Sequence, residues 1–513
     1  MSRGLTVSDR RLAAAIFILS FVTYAWFFVG GGWNQAAHFD MARALVERQT
    51  LHVDGYKVNT GDVSWSVVDG EWHAYINKPP GASFMAAVPY AAVYAIERAL
   101  RLDVDSWKVM TINAWIVTLL TCGVAGALIP AVLYLYGRKR VGAAPLVAAA
   151  VALSVAFATV IFPYSTAFLT HVPSALFLLL AFVWLHERPL LAGAAAGIAG
   201  TCNYLCIPAV AVLAIAALAG GGQAILPVQK TRGTGRIACP PLLRFVAGGA
   251  PFGILLAWYH DHCFGSPWTT AAETSRHFIK EDLILGFFAR PTMEAFHGIT
   301  VSGYRGLFYS SPVLLLAVAG AVVMLRRREL RGELAVIAVI VAFFLLSISS
   351  FSWWHGASAF GPRHLVAIVP LLAVPMLFLR GGIVLGVVWA VLALLSAGQQ
   401  FLAVAVNPLP GGGIKQPTRE YHLPIFLYGS VAPDLLPDVP GFGQNVGHVS
   451  VNDQAIDEIT AHSIHPVGSK ESTWAAFNLG ELLFGPGSRT SVLPIALWML
   501  GGSALLLATA RRA

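Results

Sequence analysis

The polar residues with chemistry to offer begin in one stretch, 33–84, which reads WNQAAHFDMARALVERQTLHVDGYKVNTGDVSWSVVDGEWHAYINKPPGASF. It carries Asp40, Arg43, Glu47, Asp54, Lys57, Asp62 and Lys78 between segments too apolar to dissolve in water. A carboxylate such as Asp40 can act as general base toward a hydroxyl or an amine if it comes within about 3 Å of the proton it removes. Lys78, in NKPPG, offers phosphate a point charge, and Pro79 fixes the backbone beside it. Arg363, in GPRH, offers two parallel hydrogen bonds to the same kind of group. Asp40 with Lys78 and Arg363 would make a base and a phosphate clamp. His171, Tyr304, Arg305, His355 and His364 stand at corresponding places beside apolar runs and could line the same cavity.

Each of these residues also has a plainer reading. Asp40 could solvate an amphipathic helix, Lys78 could snorkel at a helix start, and His171 could be a satisfied structural histidine. Trp353 and Trp354, with Trp258, Tyr259 and Trp268, form the interfacial belt expected of a membrane protein, although sugar rings stack on such faces too. His355 and His364 have no carboxylate at metal-site spacing, so no metal is expected. No nucleotide-binding motif occurs and no cofactor is expected.

Hydrophobic residues make up 57% of the 513 and charged residues only 12%, against about 45–50% and 25% in soluble domains. With a mean hydropathy of +0.68 the chain belongs in a bilayer. At roughly 20 residues per helical span there is room for about a dozen. The formal charge of +8 is spread in short Lys/Arg groups beside apolar runs, which points to membrane orientation and away from nucleic acid. The five cysteines lack metal-site spacing and read mainly as buried thiols, with no structural disulfide.

Arg3, Arg10 and Arg11 precede an uncleaved first span at 12–29, placing the N-terminus inside and the 30–108 loop outside. Within that loop, 36–48 suits a helix on the membrane surface and 81–99 a half-inserted one. The remaining spans fall at 109–136, 143–162, 172–185, 192–199, a segment ending near 219, 245–259, 307–325, 334–351, 365–379, 383–404 and 491–508. This count puts GRKR, the loop with Lys230, Arg232 and Arg236, and RRRELR all inside. An outer segment at 260–304 carries Arg276, His277, Lys280, Glu281 and Asp282. The expected organisation is a transmembrane module, 1–406, an extracytoplasmic domain, 407–490, that caps the site or recruits an acceptor, and a last helix with its tail, 491–513.

The order of HFDMARAL, NKPPGASFMAAVPYAA, GRKRVGAAP, YSTAFLTHVP, YRGLFYSSPVLLL and SWWHGASAFGPRHLVAIVP resembles bacterial GT-C-fold membrane glycosyltransferases of the protein O-mannosyltransferase-like and aminoarabinose-transferase-like group, over about residues 10–400. The resemblance implies an all-α polytopic fold with juxtamembrane helices in the first outer loop. It also implies a sugar moved from a polyprenyl-phosphate carrier to a lipid, glycan or protein acceptor on the outer face. Asp40 matches that group's base and Lys78 its carrier-phosphate lysine. Met41 stands where many members have a second acidic residue, so roles needing that carboxylate are not carried over. An O-antigen-ligase-like transferase and a lipid-linked-sugar flippase remain as alternatives. The flippase would place polar residues along the depth of several spans, where this chain is nearly all apolar.

Overall fold

A computed structural model describes residues 4–30, 32–220, 240–271, 273, 289–428, 476–485 and 488–513. The charged groups expected at 230–236 and 276–282, Cys239 and most of 407–490 lie outside these residues.

Each apolar stretch read as a span coincides, in whole or in part, with helical backbone. Among the described residues five helical segments are long and apolar enough to cross a membrane: Lys108–Val141, Pro241–Phe264, Arg328–Ser349, Ile383–Val406 and Arg489–Arg512. Six more apolar helices are shorter, among them His171–Trp184, Pro189–Cys202 and Arg363–Phe378. The Gly/Ala-rich character of Pro189–Cys202 has a packing cause. A Cβ on Gly193 would stand 1.8 Å from the Phe245 carbonyl, and one on Gly248 would stand 1.9 Å from the Leu190 carbonyl. Two backbones therefore touch where small residues permit it, the usual device for helices that associate in lipid. Cys122, Cys202, Cys206 and Cys263 are buried free thiols.

The elements that matter for chemistry are α1 (Val7–Ala25), α2 (Trp33–Arg43), the strands β2 (Val63–Val68) and β3 (Glu71–Ile76), and α3 (Gly81–Leu100). A two-residue strand β1 (Phe27–Phe28) follows α1 and pairs with Phe477–Asn478. The β2–β3 hairpin corrects the all-α expectation. Its turn is Asp69-Gly70, with φ of 52° and 86°, the left-handed pair that a two-residue hairpin loop requires. The flanking residues alternate in register from Val68↔Glu71 to Val63↔Ile76.

The surface-helix expectation for 36–48 is also corrected, because α2 is buried from Gln35 to Arg43. Phe39 and Ala42 pack with Ala82, Ala86 and Tyr90 of α3. Ala37 and Met41 pack with Ala74, Tyr75 and Ile76 of the hairpin. Burying Arg43 is tolerable because its guanidinium meets Glu47 at 2.7 Å and Asp105 at 2.6 Å, and an ion pair with full hydrogen bonding is the condition for burying charge. Glu47 also accepts from Tyr56 and from Tyr90 of α3. Helix α3 buries Gly81, Ala82, Ser83, Ala86, Tyr90 and Glu97 while exposing Val88 and Ile96.

Candidate active site

Asp40 lies on α2 with no exposed surface. Its Oδ1 accepts from Asn59 Nδ2 at 3.1 Å, and its Oδ2 is buried with no hydrogen-bond partner among the described residues. Burial, opposed by Arg43 and Asn59, pushes the carboxyl up to about 7. That is the poise of a group that both holds and releases a proton near neutrality. Asn59 belongs to the short segment that runs on to Asp62, so Asp40 is tied to the strip that enters the hairpin.

The hairpin register explains Lys78. Because Val63 faces Ile76, the residues just outside the ladder also meet, and the Asn77 amide donates to the Asp62 carbonyl at 3.1 Å. Lys78 follows, and its Nζ lies 3.2 Å from Asp62 Oδ2. Burial works against the Asp62 carboxylate, yet Lys78 and Arg363 outweigh it and hold the group below its ordinary range. The Lys78 ammonium is pulled down by burial, against the support of Asp62. The chain then turns into α3 at Gly81, where a Cβ would meet the Thr201 carbonyl carbon at 2.6 Å and the Cys202 nitrogen at 2.7 Å. The glycine of KPPG is thus a close approach of two backbones.

Arg363 arrives from the other end of the sequence. Its Nε is buried with no hydrogen-bond partner among the described residues, and its nearby carboxylate is Asp62. The preceding loop has left-handed residues at Gly356, Ala357 and Gly361, and a Cβ on Gly356 would come within 2.8 Å of Arg363 Nε. Arg305 holds that loop. Its Nε donates to the His355 carbonyl at 2.9 Å, its other nitrogens donate to the Ala357 carbonyl at 2.9 Å and the Tyr304 carbonyl at 3.1 Å, and its guanidinium lies 4.0 Å over the Tyr304 ring. Three of its five N–H groups are therefore committed to backbone carbonyls. The Tyr304 hydroxyl donates to the Gly412 carbonyl, and the Ala359 amide donates to the Pro410 carbonyl at 3.1 Å, so the segment after Ile383–Val406 backs the same loop.

The histidines complete the surroundings. The rings of His171 and His364 meet edge to face at 5.7 Å, with His171 Nδ1 and His364 Nε2 buried and unpartnered among the described residues. His355 accepts from the Ala357 amide through Nδ1 at 3.0 Å and contacts Trp353, Trp354 and Tyr304. His38, not singled out from sequence, has its Nδ1 3.1 Å from Ser83 Oγ; burial first, then Lys78, pushes it down to about 3, which keeps it neutral. Asp62 was missed as well, although Asp69-Gly70 between alternating strands carried the signal for it. Arg363, His171, His364, His38 and Asp62 each lie within electrostatic reach of Lys78, whereas the charged groups that act on Asp40 are Arg43 and Glu47. Arg305, Tyr304 and His355 form the wall behind Arg363.

No family model and no curated protein matches the chain. Solved structures do match: ArnT from Cupriavidus metallidurans bound to undecaprenyl phosphate, at 14% identity and a TM-score of 0.44, over 98% of this chain and 76% of that one. The apo form of the same enzyme gives the same values. The oligosaccharyltransferase of Archaeoglobus fulgidus matches at 11% identity and a TM-score of 0.45, over 89% of this chain and 60% of that one.

Proposed function

We propose that the protein is a glycosyltransferase that moves a sugar from a polyprenyl-phosphate carrier to an acceptor on the extracytoplasmic face of a membrane. The observation that carries this reading is that the buried Arg363 Nε has no hydrogen-bond partner among the described residues, in electrostatic reach of the Lys78–Asp62 ion pair. A phosphate group bound there would meet both cations. Arg363 brings an unsatisfied donor, and a guanidinium pairs with phosphate through two parallel bonds. Asp62 has the separate task of keeping the Lys78 ammonium charged in a site that disfavours it.

In the reaction the acceptor hydroxyl or amine gives its proton to Asp40 Oδ2 and attacks the anomeric carbon. The bond from that carbon to the phosphate oxygen breaks as the new glycosidic bond forms. Negative charge builds on the departing polyprenyl phosphate, where Lys78 and Arg363 stabilise it in a poorly hydrated site. Arg305 and Tyr304 position the 355–357 loop, and so act on phosphate only through Arg363. Transfer by Asp40→Asn, in protein shown to be folded, is expected to fall by about 10²–10⁴-fold with carrier-phosphate binding retained. Wild-type turnover by that variant would remove Asp40 from the mechanism.

A further inference from the structure

A second polar cluster lies on the outer side of the same hairpin. Asp54 Oδ2 is 2.7 Å from His73 Nδ1 and 3.1 Å from His52 Nδ1. The three ligand-type atoms all lie within 4.8 Å of one another. The other carboxylate oxygen, Oδ1, accepts the Ala74 amide at 2.7 Å, which fixes the carboxylate's orientation as an outer-shell bond does for a metal ligand. His52 Nδ1 is buried and makes no hydrogen bond among the described residues. Around a zinc ion with ligand bonds of about 2.0–2.1 Å, tetrahedral donors stand roughly 3.3 Å apart, a spacing the 3.1 Å pair approaches and the 2.7 Å pair would reach by a small opening. The three side chains remain 21–32% exposed, which leaves room for a water as fourth ligand.

We infer that His52, Asp54 and His73 form a binding site for a divalent cation of zinc's ligand preference, tying the segment after α2 to β3. Two imidazole nitrogens and one carboxylate oxygen suit zinc, whereas calcium and magnesium favour all-oxygen shells. The site differs from the one weighed and set aside from sequence, which concerned His355 and His364. Its place in the fold gives it a structural task. His73 lies on the strand whose end carries Asn77 and Lys78, so the ion would pin the hairpin that pairs Lys78 with Asp62. The inference stands independently of the proposed transferase activity. The metal-free alternative is a carboxylate hydrogen-bonded to His73, with His52 close by as an ion-pair partner.

Full-length protein in detergent, stripped with a chelator, would be titrated with Zn²⁺ against a chromophoric competitor. One equivalent per chain is expected, with a rise in unfolding temperature on binding. His73→Ala and Asp54→Ala should weaken binding by tenfold or more, whereas His297→Ala, an exposed histidine elsewhere, should leave it unchanged. His52→Cys keeps a zinc ligand at that position, so loaded with Co²⁺ it should show a thiolate-to-cobalt charge-transfer band that wild type lacks. Absence of stoichiometric binding to wild type overturns the inference, as does binding that ignores both His73→Ala and Asp54→Ala or a His52→Cys variant that binds Co²⁺ without the thiolate band.

Discussion

Replacing Asp40 by Asn should separate stability from activity in a pH-dependent way. The carboxyl has no exposed surface and sits at about 7 against a reference of 3.8. Its folded value is raised, so the folded state holds a proton that the unfolded chain has already released. The stability from this group is complete below the reference value and is lost as pH rises through about 7. At about 1.36 kcal/mol per pKa unit, the total reaches roughly 4 kcal/mol once pH exceeds 7. Asn is uncharged throughout and keeps an oxygen for Asn59, while its amide faces the place where Asp40 Oδ2 finds no partner. That unsatisfied donor costs about 1–3 kcal/mol at every pH. Asp40→Asn should therefore be less stable than wild type near pH 4 and equal or more stable near pH 8. Unfolding temperatures of both proteins in the same detergent across that range test it. A difference that stays flat or moves the other way means that Asp40 titrates as an ordinary surface carboxylate, and the base assignment loses its physical ground.

Four further outcomes follow from the same geometry. Transfer by wild type should lose about tenfold in kcat/KM per pH unit below pH 7, because the base must be ionised; a profile flat from 5 to 8 contradicts this. Asp62→Asn removes the carboxylate between two cations and should lower stability by about 3–5 kcal/mol, with part of the loss restored by added polyprenyl phosphate; an unchanged unfolding temperature would deny the pairing. Gly356→Ala should raise KM for the donor far more than it lowers kcat, since the new methyl meets Arg363 Nε; an unaltered KM would mean that Arg363 does not reach the carrier. Arg305→Lys keeps the charge but replaces a fork bound to three carbonyls with a single point, so a lower unfolding temperature is expected, and retention of wild-type stability speaks against the brace.

How much of this was legible beforehand depended on the range of the interaction involved. Apolar runs announce helices because lipid demands an internally bonded backbone over about 20 residues, and the span positions followed from that. Lys78 and Arg363 stood out because each breaks a local rule, one beside two prolines and the other a cation on the outer side. Asp62 did not, because its importance comes from strand register, which places it opposite Asn77, 15 positions further along the chain. The hairpin itself was readable in Asp69-Gly70 and was overlooked in favour of a purely helical account. The α2 surface-helix reading failed for a different reason: charges at Arg43 and Glu47 look solvated in sequence, and only their partners Asp105, Tyr56 and Tyr90 make burial possible. The bracing role of Arg305 was not legible either, since backbone carbonyl acceptors leave no trace in residue identity.

The central claim, that Lys78 and Arg363 around Asp62 form a carrier-phosphate site, is tested most directly by binding without chemistry. Purified wild type and a Lys78→Ala, Arg363→Ala double variant would be presented with polyprenyl phosphate and, separately, with the same polyprenol lacking phosphate, and retained lipid would be measured by native mass spectrometry. The expected result is that wild type keeps the phosphorylated lipid in preference to the alcohol and that the double variant loses this preference. Equal retention of the two lipids by wild type, or an undiminished preference in the double variant, would contradict it.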